Sequence, residues 1–434
     1  MRDKDQGPVP KALENEPAGR TPIGALRHRD FSIYWAGSVV SQVGTQFTTV
    51  AMAWQIYELT NSPLQLGLLG LARAAPMLAL LLFGGLLADA VNRRHLMMAT
   101  QIAQMGVSAS LALMTLAGMV SPAVLYVASL FLALFSALEQ PARTAIIPNL
   151  VPRSDLSNAL ALSGVQRYLA TIVGPSLAGL LLARSGAMFC YTVDAVSWLA
   201  MLAALLIMRP LAQATGGRRA ITMQALREGV EFVWTHPVIL SMMALDFGQN
   251  FFGSGRALLP IYAKDILAVG PQGLGLLYSA TSAGAVLMGT VMSMRAQVRR
   301  AGAWVIVSVS FYGIFMMLFG VSHFFWFSFL MLASAGAANT VSFVLRNTIN
   351  QVLTPDEIRG RVTSVNSMFT NTGPQLGQFE AGALASLIGP VAATAVGGLV
   401  VTSIAAGLAA VASVRAFEVQ EHAPAKIEEV PARA

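Results

Sequence analysis

Twelve stretches of mainly apolar residues recur along this chain, and their length leaves few folds open. A helix rises about 1.5 Å per residue and the hydrocarbon layer is about 30 Å thick, so about 20 apolar residues cross a bilayer. The stretches lie near 31–57, 64–88, 95–117, 122–142, 157–183, 187–208, 238–260, 271–294, 302–322, 324–345, 363–387 and 390–413. The expected fold is an all-α polytopic membrane protein with twelve transmembrane helices. Ser121-Pro122 and Gly389-Pro390 mark tight reversals, because proline ends one helix and suits the first turn of the next. Composition agrees: 11% of residues are charged, against about a quarter in soluble domains, which excludes an ordinary soluble enzyme. The lone Cys190, inside an apolar run, excludes an internal disulfide and a multi-cysteine metal site.

The charges that remain define a topology. With the amino terminus inside, the even-numbered connections collect Arg93, Arg94, Arg143, Arg153, Arg209, Arg218, Arg219, Arg227, Arg295, Arg299, Arg300, Arg346, Arg359 and Arg361, and the other side only Arg184 and Lys264. The positive-inside rule then predicts both termini in the cytoplasm, and the expected location is the inner membrane. The net charge of +7 falls in short clusters rather than one basic patch, so the bilayer and not nucleic acid is the expected partner. Residues 1–29 lack the apolar core of a removable signal, so the first span is expected to act as the targeting signal.

The spans divide six and six around a connection at 209–237, giving an N-terminal bundle at 30–208 and a C-terminal one at 238–414. Within the connection, Met223, Leu226, Val230, Val233 and Trp234 share one helical face. This predicts an amphipathic helix that lies on the membrane surface or packs on the span ends. The tail 415–434 reads as disordered and cytoplasmic. The halves share a weak repeat: Arg143 to Pro152 aligns with Arg346 to Pro355 at an offset of 203, and Gly174-Pro175 with Gly373-Pro374 at 199. The difference, about one helical turn, reads as a loop gap.

The connection after the second span runs Gly85-Leu-Leu-Ala-Asp89-Ala90-Val-Asn92-Arg93-Arg94. It resembles the Gly-x-x-x-Asp-(Arg/Lys)-x-Gly-(Arg/Lys)-(Arg/Lys) signature of the major facilitator superfamily, with Ala90 and Asn92 departing from the pattern. The resemblance implies a cytoplasmic gate of Gly85, Asp89, Arg93, Arg94 and Arg143 in which an arginine other than the adjacent one serves Asp89, and Glu139 is expected to join a gate network with Arg143 or Arg93. Gly174, Pro175 and Gly179 resemble the antiporter element of the same superfamily, and also suit a packing kink. The runs EQPARTAIIPNLVP (139–152), EGVEFVWTHP (228–237), LLPIYAKDILAVG (258–270) and LTPDEIRGRV (353–362) resemble its drug- and siderophore-exporter branch, including enterobactin-exporter-like and macrolide-efflux-like proteins. That implies the two-bundle major facilitator fold, a monomer, and export of small amphipathic molecules.

Ionisable groups inside a bilayer cost a few kcal/mol and need a partner, a wet cavity or a task. Asp246, Glu139 and Glu380 are the proton-coupling candidates, Asp246 first, with Asn250 one turn on. The alternative is that Asp246 is permanently paired with an arginine such as Arg73 or Arg167. Glu139 precedes Arg143 by one turn, the favourable order for a pair on one helix face. Asp194 is expected to make a structural hydrogen bond. Arg73, Arg167, Gln249, Asn250, Phe251, Met368 and Gln375 are candidate cavity residues, with Met52, Trp54, Phe252 and Phe369 as soft walls for lipophilic substrates. No phosphate-binding Gly-x-x-x-x-Gly-Lys-(Ser/Thr) run, metal-ligand cluster or Gly-x-Ser-x-Gly elbow occurs, so no cofactor, metal or enzymatic activity is expected. A nutrient facilitator, a lipid translocator and a non-transporting sensor or scaffold remain open as other readings.

Overall fold

The computed structural model describes residues 23–87, 92–209, 223–294 and 300–411, with positions 415 and 417. Fourteen α-helices carry the described chain: α1 Arg29–Thr60, α2 Pro63–Leu87, α3 Arg93–Leu116, α4 Pro122–Ile146, α5 Leu156–Ser185, α6 Ala187–Ile207, α7 Met223–Thr235, α8 Pro237–Phe252, the single turn α9 Leu259–Ile261, α10 Gly270–Ser293, α11 Ala301–Gly320, α12 Phe325–Leu353, α13 Asp356–Ile388 and α14 Pro390–Ala409. Among the described residues there is no strand. Eight of the helical segments are long and apolar enough to cross a membrane. A bent pair, Arg227–Thr235 with Pro237–Ile266, passes the same test together, with 105° between its parts.

The long helices α1 and α13, of 32 and 33 residues, do not pass. Gln42, Thr45, Gln46 and Thr49 on α1, and Asn371, Thr372, Gln375 and Gln378 on α13, interrupt their apolar runs. Gln46, Thr49 and Gln378 among them line the cavity described below, so polarity here marks helices that line an interior rather than ones outside a bilayer.

The long helices alternate in direction. One end of the molecule, the terminal end, holds the starts of α1, α3, α5, α8, α11 and α13, as contacts such as Ala25–Asn158, Arg94–Leu206, Gly302–Phe417 and Glu228–Arg361 place them; the opposite, far end holds their exits. In the first half α1 packs along α5 and α6, α3 along α4 and α6, and α2 along α4; in the second, α11 packs along α12 and α14, α10 along α12, and α8 along α13 and α14. Two seams join the halves, α2 on α13 and α5 on α10.

Far-end turns reveal the repeat in backbone geometry. Gly186 (φ 83°, ψ 177°) closes α5 and Gly389 (φ 84°, ψ 157°) closes α13, a left-handed conformation that favours glycine. These glycines keep the offset of 203 already seen at Arg143/Arg346 and Pro152/Pro355. The Gly-Pro pairs therefore sit one turn apart along equally long segments, and the shorter offset there does not come from a loop gap.

Three sequence expectations change. The seventh span is not one helix over 238–260: α8 stops at Phe252, and the chain continues through a 3₁₀ segment Gly255–Leu258, α9, and a π-turn Tyr262–Ile266. Gly253, Gly255 and Pro260 explain the break, since glycine lowers helix propensity and proline cannot donate. Arg346 is not a connection residue; it lies within α12 and is 3% exposed. In α7, the side chains of Met223 and Leu226 lie outside the described residues; Val233 is buried against Ile239, Met243, Val362 and Val365, while Trp234 is 70% exposed. The segments 1–22 and 418–434, expected to be cytoplasmic, and Arg218, Arg219, Arg295 and Arg299 lie outside the described residues.

Candidate functional site

Near the far end the two halves meet backbone to backbone. Gly67 lies against Gly382, and Gly179 against Gly275. Ser279 donates to the Ile172 carbonyl at 2.6 Å and meets Ser176 at 2.8 Å. Small residues allow this approach, and a hydroxyl in the seam finds a partner within it. Beyond the seams the exit of α1 is tied to the π-turn: Tyr57 donates to Asp265, and Lys264 Nζ donates to Asn61 Oδ1 at 2.8 Å while standing 5.2 Å from the Tyr57 ring centroid.

Inside these closures lies a cavity of about 560 Å³ between the halves, walled by residues from α1, α2, α5, α8, α10, α11, α12 and α13 and by the segment after α8. Its wall carries Arg73, Arg256, Tyr168, Tyr278 and Tyr312 among amides, hydroxyls and apolar groups, and none of its residues is acidic. The break after α8 is what delivers Arg256: in the 3₁₀ segment it stacks over Tyr278 at 5.2 Å, and Tyr312 donates to the freed Gly253 carbonyl at 2.8 Å. Broken helices are tolerated at this depth where they line a cavity.

Two buried ion pairs lie nearer the terminal end. Asp246 on α8 pairs with Arg346 on α12 at 2.7 Å, and accepts from Asn250 at 3.1 Å and Thr370 at 2.9 Å. Its partner is therefore neither Arg73 nor Arg167. Glu139 pairs with Arg143 one turn on at 2.7 Å, with Gln101 and Gln104 of α3 donating to the same carboxylate at 3.0 and 2.9 Å. Arg143 also donates to Ser38 of α1 at 2.8 Å. The two arginines are the ones related by the offset of 203. The repeat does not extend to their carboxylates, because the same offset carries Glu139 to Ser342 rather than to Asp246.

The other sequence-derived residues scatter. Arg73 and Asn250 are on the cavity wall; Arg167 is exposed and, like Gln249, Phe251, Met368 and Gln375, is not part of it. Gln249 bonds Asn339 at 2.8 Å, Phe251 stacks on Phe247 at 5.3 Å, and Gln375 accepts from Gln378 at 3.4 Å. Met52 and Trp54 are core residues, 0% and 9% exposed. Asp194 accepts from Thr48 and Ser108, both at 2.7 Å, a structural role. Glu380 is half-buried on α13 away from the cavity wall. Gly174 packs on Gln46 of α1, while the Pro175 carbonyl and Gly179 meet Gly275 of α10. In the gate motif, Asp89 and the surroundings of Gly85 lie outside the described residues; Arg93 donates to the Ala145 carbonyl at 3.5 Å and Arg94 to that of Leu206 at 3.4 Å. Sequence reasoning missed Arg256, Tyr278 and Tyr312 as cavity groups.

A family model described as transmembrane secretion effector matches residues 20–432, nearly the whole chain. The chain belongs to this family of major facilitator transporters. The transporter is 27% identical over 372 residues to the enterobactin exporter of Shigella boydii and, over the same length, to that of Citrobacter koseri, in each case covering 86% of this chain and 89% of the relative. Its fold matches a solved bacterial homologue of the human lysosomal transporter Spinster, in an inward-facing and occupied conformation, with a TM-score of 0.67 at 15% identity over 92% of this chain and 98% of that one. It also matches a bacterial homologue of the iron transporter ferroportin, in an inward-facing state, with a TM-score of 0.65 at 16% identity over 87% and 98% of the two chains. The transporter is a membrane protein for small molecules and not an enzyme.

Proposed function

We propose that this transporter exports small amphipathic molecules, siderophores among them, by proton-coupled alternating access. The observation that carries the reading is the cavity between the halves, closed at the far end by two glycine seams and the Tyr57–Asp265 contact. In this reading twelve spans form two six-helix bundles, over 30–208 and 238–414, with 209–237 as the bridge between them. Both termini are cytoplasmic, the membrane is the inner one, and the protein works as a monomer. The far end is then the outer gate, and the structure is an inward-open state ready to load from the cytoplasm. The named exporters among the relatives support the direction and the siderophore class.

Protons enter through Asp246. Protonating its carboxylate removes the charge that holds Arg346, and with it an attachment between α8 and α12. Glu139 with Arg143 is the second site, and Glu380 the third. The test is uptake of siderophore-like and other amphipathic compounds into inside-out vesicles, with and without an imposed proton gradient, comparing wild type with Asp246→Asn. Gradient-driven uptake lost in the variant supports coupling through Asp246. Uptake indifferent to gradient and variant overturns it and favours a facilitator.

A further inference from the structure

Arg143, Arg346, Arg73 and Arg256 stand between helices and fall into two kinds. Arg143 and Arg346 each hold a carboxylate at 2.7 Å. Arg73 and Arg256 hold none: Arg73 donates to Ser129 Oγ at 3.0 Å, and Arg256 to the Tyr278 carbonyl at 3.5 Å. Both face the cavity. The described carboxylates near this depth are committed elsewhere, Asp246 to Arg346, Glu139 to Arg143, Asp194 to Thr48 and Ser108, and Asp265 to Tyr57, while Glu380 is off the wall. Two like charges thus share one polar chamber with no counter-charge among the described residues, an arrangement that needs water, an anion, or both.

The surroundings favour an anion of particular shape. Guanidinium offers a planar fork that matches carboxylate, catecholate and phosphate oxygens in two-bond contacts. Tyr278 lies within electrostatic reach of both arginines, and its ring is already stacked by Arg256. Tyr168, Ala257, Ala285 and Pro374, which are at least partly exposed on the same wall, give an apolar portion somewhere to lie. Arg73 comes from α2 in the first half and Arg256 from the segment after α8 in the second, so a group held by both ties the halves together across the cavity.

We infer that Arg73 and Arg256 form a two-armed clamp for an oxyanion, and that the cargo of this cavity is an amphipathic anion rather than a lipophilic cation. The inference rests on the cavity being the substrate site of the exporter. Its test is equilibrium binding to the full-length purified transporter, so that it does not depend on transport. The probes are dansyl fluorophores on a common linker that ends in a carboxylate, a catechol, a phosphate monoester, a neutral amide or a trimethylammonium group.

The expected result is that at least one anionic probe binds the wild type roughly tenfold or more tightly than the neutral amide, and the cation most weakly. Arg73→Gln and Arg256→Gln should each erase most of that preference while leaving amide binding within about twofold. Arg256→Lys should keep part of it, since charge remains and the fork is lost. Which anionic probe leads separates carboxylate, catecholate and phosphate cargo. Equal binding of amide and anion by the wild type, or tightest binding of the cation, overturns the clamp without needing any variant. Preference unchanged in both glutamine variants, with thermal unfolding matching wild type, overturns the assignment to these arginines. Failure of all probes to move in vesicles, with anion preference intact, counts against the export reading and leaves the clamp standing.

Discussion

Substituting Gly275 with alanine should shift the transporter away from the closed far end. A Cβ at Gly275 would stand 3.0 Å from the Gly179 Cα and closer still to the Pro175 carbonyl oxygen. Backbone cannot swing aside as a side-chain tip can, so the methyl is accommodated by separating α5 from α10. Overpacking a tight contact costs about 1–3 kcal/mol. The gain of about 0.5–1 kcal/mol from replacing a helical glycine belongs to both conformations and cancels between them. The net penalty falls on the closed far end and should move the conformational equilibrium roughly 5- to 150-fold toward opening. Spin labels at Ser185→Cys and Gln272→Cys, on either side of the seam in a Cys190→Ala background, would report the separation by pulsed electron resonance. The distance distribution should lengthen in Gly275→Ala and stay put in Gly164→Ala, because nothing lies within 4 Å of a Cβ added at Gly164 on the same α5. An unchanged distribution in a well-folded Gly275→Ala protein, or an equal shift in the control, would refute the seam argument.

Arg346→Met leaves Asp246 buried without its cation and should cost about 3–5 kcal/mol, with the Asp246→Asn/Arg346→Met double variant recovering a measurable part; thermal unfolding in detergent reads both. Tyr57→Phe removes the donor to Asp265 and should weaken the far-end closure by about 0.5–1.5 kcal/mol, visible as faster thiol labelling of a cysteine placed in the cavity at Thr281. Cys190 is fully buried and should stay inert to maleimide in the native protein, reacting only as denaturant unfolds it.

The all-α class and the helix order were legible because each helix must carry its own length of apolar surface, and tight turns such as Ser121-Pro122 and Gly389-Pro390 punctuate them. The helices with the most polar faces, α1 and α13, were found by length despite their glutamines and threonines. What could not be read was which face of a helix meets which neighbour. Periodicity cannot distinguish a tyrosine in the core, such as Tyr191, from one on a cavity wall, such as Tyr168. Arg346 was counted with the connections because it follows an apolar run, yet a carboxylate 100 residues earlier in the chain holds it inside α12. Glu139 with Arg143 was legible because that pair is local, four residues apart on one helix. Asp246 with Arg346 is a product of tertiary structure, and so is the wall position of Arg256, which depends on the break after α8.

That contrast between the two buried pairs has a mechanical side. In the first half both charges ride on α4, so neutralising Glu139 breaks no ion pair between helices and weakens only the hydrogen bonds from Gln101 and Gln104 of α3. In the second half the charges sit on different rods, α8 and α12, and losing either one unfastens the rods themselves. Removing one charge by substitution, Glu139→Gln against Asp246→Asn, should therefore loosen the second half more than the first, so that one side of the transporter serves as the anvil and the other as the moving jaw.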